Sequence, residues 1–388
     1  MATKPQIPNK LIGILLVVTI AFFYLGIMFF LVPLSGNKGI AQWLNSKRIL
    51  EDHKKDLTER ITGNEGFKNI DLDLYIKETQ ELVKMGDKSF NSWLSFRTFT
   101  PNISGKYIQT NDFGLRTNIH LMEMIQKAQH NKKTGGKNII VLGGSTAFGY
   151  GVAEERNTIT GNLNSQLKEK GYAVFNLAQG GYTSFMELFI FSVIGIYLEP
   201  DILIIMDGFA DTYHLAYKPK QEQLPLGPWS GSKKGDEPGF ILDFYYKNLE
   251  AICKLADAGN KKVILALQPI SGFENNSRLD TDLIKEFWAL YPKVREVSKL
   301  VAKNQNATFV DLSVLYKEEE SSEENFFDKS HLSTMGQKKV AAALIEAIAA
   351  TSSSPKITTF IPLEDRESLI NNIIGTNFRG SYKTAEDY

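Results

Sequence analysis

The sequence predicts an α/β fold, a doubly wound parallel sheet of about five strands, behind an N-terminal transmembrane helix. Three observations carry that reading. Short β-branched runs alternate with helix-like segments between residues 137 and 350, each long enough (about a dozen residues) for a crossover between parallel strands. Those runs are mainly apolar at consecutive positions instead of alternating, as strands covered on both faces are. Residues 11–34 carry no charge.

Residues 1–10 are a short flank. As a helix rising ~1.5 Å per residue, the 11–34 run would be about 36 Å long, enough to cross a hydrocarbon core of about 30 Å with some tilt. A cleaved leader has an apolar core of only ~7–15 residues and a small-x-small exit, whereas Phe29-Phe30-Leu31-Val32-Pro33-Leu34 is bulky. Lys4 and Lys10 flank one side and Lys38, Lys47 and Arg48 the other, so charge orients the span only weakly. The expectation is a single-pass protein of a bacterial inner membrane, held in the lipid bilayer through residues 11–34, with its catalytic domain outside the cytoplasm.

Residues 35–136 read as a helical stalk or cap and a lead-in, with Leu50, Leu57, Ile61, Leu72, Leu74, Tyr75, Leu82 and Val83 at helical spacing. Within them, Asn111-Asp112-Phe113-Gly114-Leu115-Arg116 reads as a loop or hairpin, a surface turn in its simplest form. Strands follow at 137–142, 173–177, 201–206, 262–267 and 308–312, and helices at 158–170, 185–197, 240–255, 280–302 and 334–350. The polar insertion 218–239, with Pro219, Pro225, Pro228 and Pro238, is too irregular for an element and reads equally as a lid or an inert loop. Residues 351–388 form a peripheral tail.

Composition excludes some partners. The 388 residues include 44 basic and 44 acidic side chains and 43% hydrophobic ones, which suits a packed core and gives no reason to expect nucleic acid. Cys253, the one cysteine, reads as a packed thiol.

The chemistry sits where strands end. Asn138-Ile139-Ile140-Val141-Leu142 breaks into Gly143-Gly144-Ser145-Thr146, which presents Ser145 at the carboxyl edge of the sheet. Downstream, Asp328-Lys329-Ser330-His331 precedes the last helix. A serine hydroxyl is a poor nucleophile at neutral pH unless an imidazole takes its proton, and a carboxylate must hold that imidazole in the right tautomer. Ser145, His331 and Asp328 supply the three groups in that order. That chemistry calls for no metal and no organic cofactor. A nucleotide site at the same turn is disfavoured, since the run lacks both the Gly-Lys-Ser/Thr of a phosphate loop and the dinucleotide fingerprint.

With these motifs the chain resembles the SGNH, or GDSL-like, hydrolase superfamily of esterases, lipases and carbohydrate O-acetyl esterases or transferases, over about residues 137–350. The resemblance implies a three-layer sandwich. Gly143-Gly144-Ser145-Thr146 matches the first block, with Gly144 in place of its aspartate, a form similar to that of membrane-anchored relatives near polysaccharide machinery. Asn176-Leu177-Ala178-Gln179-Gly180-Gly181 matches the second, which implies an oxyanion hole built from the Ser145 and Gly181 amides, although Gly180-Gly181 also reads as a mere turn. Asp328 and His331, continued by Leu332 and Gly336, match the last. The third block departs: after Gly208 and Phe209, Ala210 stands where an asparagine would donate to the oxyanion, and Asn176 or the loop containing His214 is a substitute donor to consider. Two functions follow. One is a membrane-anchored serine esterase or O-acyltransferase acting on O-acetyl esters of envelope or secreted glycans. The other is a catalytically silent version of the fold serving as a glycan-binding or assembly subunit of an envelope complex.

Overall fold

All five expected strands are present in the computed structural model, which describes residues 67–84, 98–217, 238–271, 285–316 and 322–353 together with Lys55, Thr58 and Ile61. All but Lys55 and Thr58 fall in one unit, residues 60–388. Helix α1 (Leu72–Lys84) and helix α2 (Leu121–Lys133) precede strand β1 (Lys137–Gly143), a one-turn helix α3 (Ser145–Phe148) and helix α4 (Ile159–Leu167). Then come β2 (Tyr172–Asn176), α5 (Ser184–Val193), β3 (Ile202–Asp207), α6 (Phe209–Tyr217) and α7 (Pro238–Ala258). The chain continues through β4 (Lys262–Leu267), α8 (Lys285–Asn304), β5 (Thr308–Asp311), α9 (Ser322–Asn325) and α10 (Thr334–Ser353).

The sheet is parallel throughout, in the order β2-β1-β3-β4-β5. Strand β1 is interior, paired on both sides, with Ile139 opposite both Val174 and Ile202. Because side chains alternate across a strand, Ile140, Leu142, Leu203, Ile205 and Leu265 face one side, where they pack with Tyr245, Leu249, Val294 and Val297 of α7 and α8. Ile139, Val141, Ile204 and Ile264 face the other, and α4 and α10 pack against each other in the second helical layer. Each fully buried Leu or Ile contributes about 1.5–3 kcal/mol, so these two layers hold the strand ends in place. After β1 the chain goes outward to β2, then returns to the far side of β1 for β3. That reversal opens a crevice at the carboxyl ends of β1 and β3, the usual binding place in a doubly wound sheet.

Expected and observed strand limits differ by at most a residue at either end. Three helices depart more. Residues 209–217, expected to include a loop containing His214, form α6 directly after β3. Residues 121–133, to which the sequence reading assigns no element, form α2, which buries little beyond Met124 and Ala128 and so leaves a weak apolar stripe. Pro238 and Gly239, expected in the insertion, begin α7, where proline's fixed φ suits a first turn. The rest of the insertion, the tail after residue 353 and the predicted span 11–34 lie outside the described residues. Among the described residues no helix is long and apolar enough to cross a membrane.

Candidate active site

Ser145 is the first residue of α3, immediately beyond β1. The tight passage from strand to helix depends on Gly143, whose φ is +152°. A Cβ there would lie 2.6 Å from both the Met206 carbonyl oxygen of β3 and the Ala147 Cβ, so only glycine lets β1 turn this close to its neighbour. Tyr150 and Gly149 both donate backbone N–H groups to the Ser145 carbonyl, at 2.9 and 3.1 Å, which fixes the turn from behind.

The loop between α9 and α10 brings the other two groups. Phe326 and Leu332 form an antiparallel bridge that closes it, and the Asp328 Oδ1 accepts backbone N–H bonds from Ser330 (2.9 Å) and His331 (2.8 Å). The Asp328 Oδ2 then lies 2.6 Å from His331 Nδ1, and His331 Nε2 lies 2.7 Å from Ser145 Oγ. Burial alone would push the Asp328 carboxyl up, but the neighbouring His331 imidazole and the two N–H donors hold it well below the ordinary carboxylate range. An ionised Asp328 can only accept, so Nδ1 carries the proton and Nε2 is left to accept from the serine hydroxyl. The structure thus brings Ser145, His331 and Asp328 together in the arrangement a proton relay requires.

Three side chains that motif reasoning missed pin this loop to the nucleophile turn. Thr146 Oγ1 and Gln268 Nε2 both donate to the Ser330 carbonyl, at 2.7 and 3.0 Å. Gln337 Nε2 donates to the Thr146 carbonyl at 3.1 Å while its Oε1 accepts from Ile159 N–H at 2.7 Å. Each acts on a backbone group distant in sequence, so no local pattern announces it.

Gly181, with φ of +72°, follows β2 in a turn set by Gln179, whose N–H bonds the Gly143 carbonyl at 3.1 Å. A Cβ placed on Gly144 would meet the Tyr182 carbonyl at 3.7 Å, so this turn runs beside the nucleophile turn. Among the described residues neither the Ser145 nor the Gly181 N–H donates a backbone hydrogen bond, and free amides on adjacent turns are the kind of donor an anionic oxygen needs. Ala210, half-buried on the first turn of α6, contributes only a methyl group. Asn176 does not substitute for it. Its amide nitrogen is spent on the Ala147 carbonyl at 3.2 Å and its oxygen on Ala178 N–H at 3.0 Å, because the buried end of α3 leaves carbonyls to satisfy. The His214 side chain lies outside the described set.

Beneath the same crevice, three carboxyls are buried together. Asp211 accepts from the Ser184 N–H (2.9 Å) and hydroxyl (2.8 Å), tying the Gly181 turn to α6, and Asp207 Oδ1 accepts from Gly208 N–H at 2.6 Å. Among the described residues both oxygens of Glu187 lack a partner. Burial, then the nearby negative charges, push Glu187 and Asp207 well above the carboxylate range, which favours their neutral forms. No group of His, Cys, Asp and Glu among the described residues is arranged to hold a metal ion. Burial pushes the Cys253 thiol up to about 12, in keeping with a packed, unreactive side chain.

Residues 141–339 match the model of the GDSL-like lipase/acylhydrolase family. Among solved structures, the acetyl xylan esterase AlAXEase is 17% identical, with 54% of this chain and 99% of that one covered and a TM-score of 0.42. An acetylxylan esterase from Geobacillus stearothermophilus is 19% identical over 55% and 94% of the two chains, with a TM-score of 0.44. LAE5, an alpha/beta hydrolase from the metagenome of Lake Arreo in Spain, is 16% identical over 56% and 97%, also at 0.44. No curated protein matches the chain.

Proposed function

Because the chain belongs to the GDSL-like lipase/acylhydrolase family and is a serine hydrolase of SGNH type, we propose that it cleaves or transfers O-acetyl esters of envelope or secreted glycans from a membrane-anchored position. The observation that carries the chemistry is the continuous relay, 2.7 Å from Ser145 Oγ to His331 Nε2 and 2.6 Å from His331 Nδ1 to Asp328. Ser145 Oγ attacks the acyl carbon as its proton passes to His331. The imidazolium, stabilised by Asp328, then protonates the departing sugar hydroxyl. Water gives hydrolysis of the acyl-serine, and a second sugar hydroxyl gives transfer. The Ser145 and Gly181 amides hold the oxyanion. The choice of acetyl groups on glycans rests on the resemblance of the Gly-Gly-Ser-Thr turn, and the anchor and extracytoplasmic placement rest on the uncharged run 11–34.

A second reading is favoured by Ala210. Loss of one oxyanion donor costs about 10²–10³ in rate, so a fold that keeps the relay yet lacks the side-chain amide also suits a silent glycan-binding or assembly subunit. A fluorophosphonate discriminates the two. Modification of the full chain at Ser145, absent in Ser145→Ala, together with acetate release from p-nitrophenyl acetate, is the expected result for the enzyme. A folded wild-type chain that is neither labelled nor active would overturn the hydrolase reading.

A further inference from the structure

The segment Asn111–Arg116, whose simplest sequence reading is a surface turn, is largely buried, with only Asp112 exposed and Phe113 half-buried, and it touches both turns that carry the chemistry. Arg116 is 3% exposed. Its Nη1 donates to the Gly149 carbonyl at 2.5 Å and its Nη2 to the Val152 carbonyl at 2.6 Å, with Ala153 at 3.5 Å. Gly149 in turn donates its N–H to the Ser145 carbonyl, as does Tyr150, whose ring lies 4.6 Å, centroid to centroid, from that of His331. One backbone bond therefore separates the guanidinium from the nucleophile, and one ring contact separates the gripped turn from the base.

The same segment reaches the oxyanion turn. The Asn111 side chain accepts from Phe113 and Leu115 N–H, both at 3.0 Å, and so holds the loop that delivers Arg116. The Gly114 carbonyl at its tip accepts from Gln179 Nε2 at 2.8 Å, while Gln179 Oε1 accepts from Phe99 N–H at 2.9 Å and Gln179 N–H holds the Gly143 carbonyl. Helix α1 backs the arrangement, since Glu78, itself buried, accepts from the N–H groups of Lys106, Tyr107 and Ile108 at 2.8–2.9 Å. All of these residues except Gly143 and Gln179 lie N-terminal to the region that matches the family.

We propose that Arg116, carried by the Asn111–Arg116 loop, is a positioning residue that braces the Ser145 turn for attack, making the lead-in a working part of the active site. A single neutral donor could satisfy one carbonyl. Only a planar guanidinium spans those of Gly149 and Val152 at once, and lysine, with its point charge, does so imperfectly. A charge buried with no carboxylate at ion-pair distance among the described residues is costly, and the converging carbonyl dipoles offset that cost here. The brace acts on geometry that matters in the transition state, where a displacement of about 1 Å costs about 10²-fold in rate.

The proposal rests on Ser145 being the nucleophile, and the experiment separates the two claims. Full-length wild type, Arg116→Met, Arg116→Lys and, as a control on a neighbouring exposed cation, Arg156→Ala are compared in detergent. The measurements are circular dichroism, kcat and KM on p-nitrophenyl acetate, and the rate of fluorophosphonate labelling of Ser145. Arg116→Met is expected to stay folded, to lose about 10²-fold in kcat and labelling rate, and to keep KM within about threefold. Arg116→Lys should recover about tenfold of that loss, and Arg156→Ala should match wild type. Wild-type labelling and kcat in a folded Arg116→Met, or no recovery by lysine, would overturn the brace while sparing the serine assignment. So would failure of both Arg116 variants to fold, which would make the residue part of the fold and not of the site. No labelling of wild type would remove the serine assignment and the brace with it.

Discussion

Asp328→Asn tests the relay at its most sensitive point. The asparagine side chain is nearly isosteric, and two backbone donors decide its orientation. Ser330 and His331 N–H groups, at 2.9 and 2.8 Å from the Oδ1 position, require an acceptor there, so the amide nitrogen must take the Oδ2 place facing His331 Nδ1. An N–H in that place forces Nδ1 to accept and moves the ring proton to Nε2, which can then no longer receive the Ser145 proton. A tautomer error of this kind costs about 10⁴ in kcat, equivalent to about 5.5 kcal/mol of barrier, with little change in KM. Stability supplies an independent arm. The folded Asp328 carboxyl lies below its unfolded value of about 3.9, so its stabilisation is fully present above that value and is lost as pH falls toward the folded one. The Tm deficit of Asp328→Asn should therefore be largest near neutrality and shrink on acidification below about pH 4. Activity within tenfold of wild type, or a deficit that grows in acid, would refute both the tautomer argument and the assignment of Asp328.

Ala210→Asn restores a side-chain donor at the start of α6, and should raise kcat on p-nitrophenyl acetate by up to ~10²-fold with KM nearly unchanged. A folded variant with no gain would mean that residue 210 does not face the oxyanion. Glu187→Gln probes the buried carboxyls. Because the folded Glu187 carboxyl is raised, its neutral form stabilises the protein below the unfolded value of about 4.3, and that stability is lost as pH rises toward the folded one. Glutamine cannot ionise, so the Tm of Glu187→Gln minus that of wild type should become more positive between pH 5 and pH 9. A difference that does not change with pH would show that the carboxyl is not held neutral.

What the sequence makes legible follows from where the determining forces act. The β1 run is readable because a strand buried on both faces is apolar along its middle, here Ile139–Leu142, and Gly143 because no other residue fits beside Met206. Asp328 and His331 are readable because a three-residue offset lets one carboxylate cap the loop backbone and hold the ring at once. Arg116, Gln179, Gln268 and Gln337 are not, since each donates to a main-chain carbonyl dozens to nearly two hundred positions away, and a carbonyl carries no residue-type signal. Asn176 shows the converse hazard. Its amide type and its place at the end of β2 suit an oxyanion donor, but the carbonyls at the end of the four-residue helix α3 are nearer, and an unsatisfied buried carbonyl costs ~1–3 kcal/mol. The local debt of the nucleophile turn thus decides what its polar neighbours do: Asn176 meets it from below and Arg116 from the side. On the proposed mechanism, the oxyanion is then left to the backbone amides and to whatever occupies position 210.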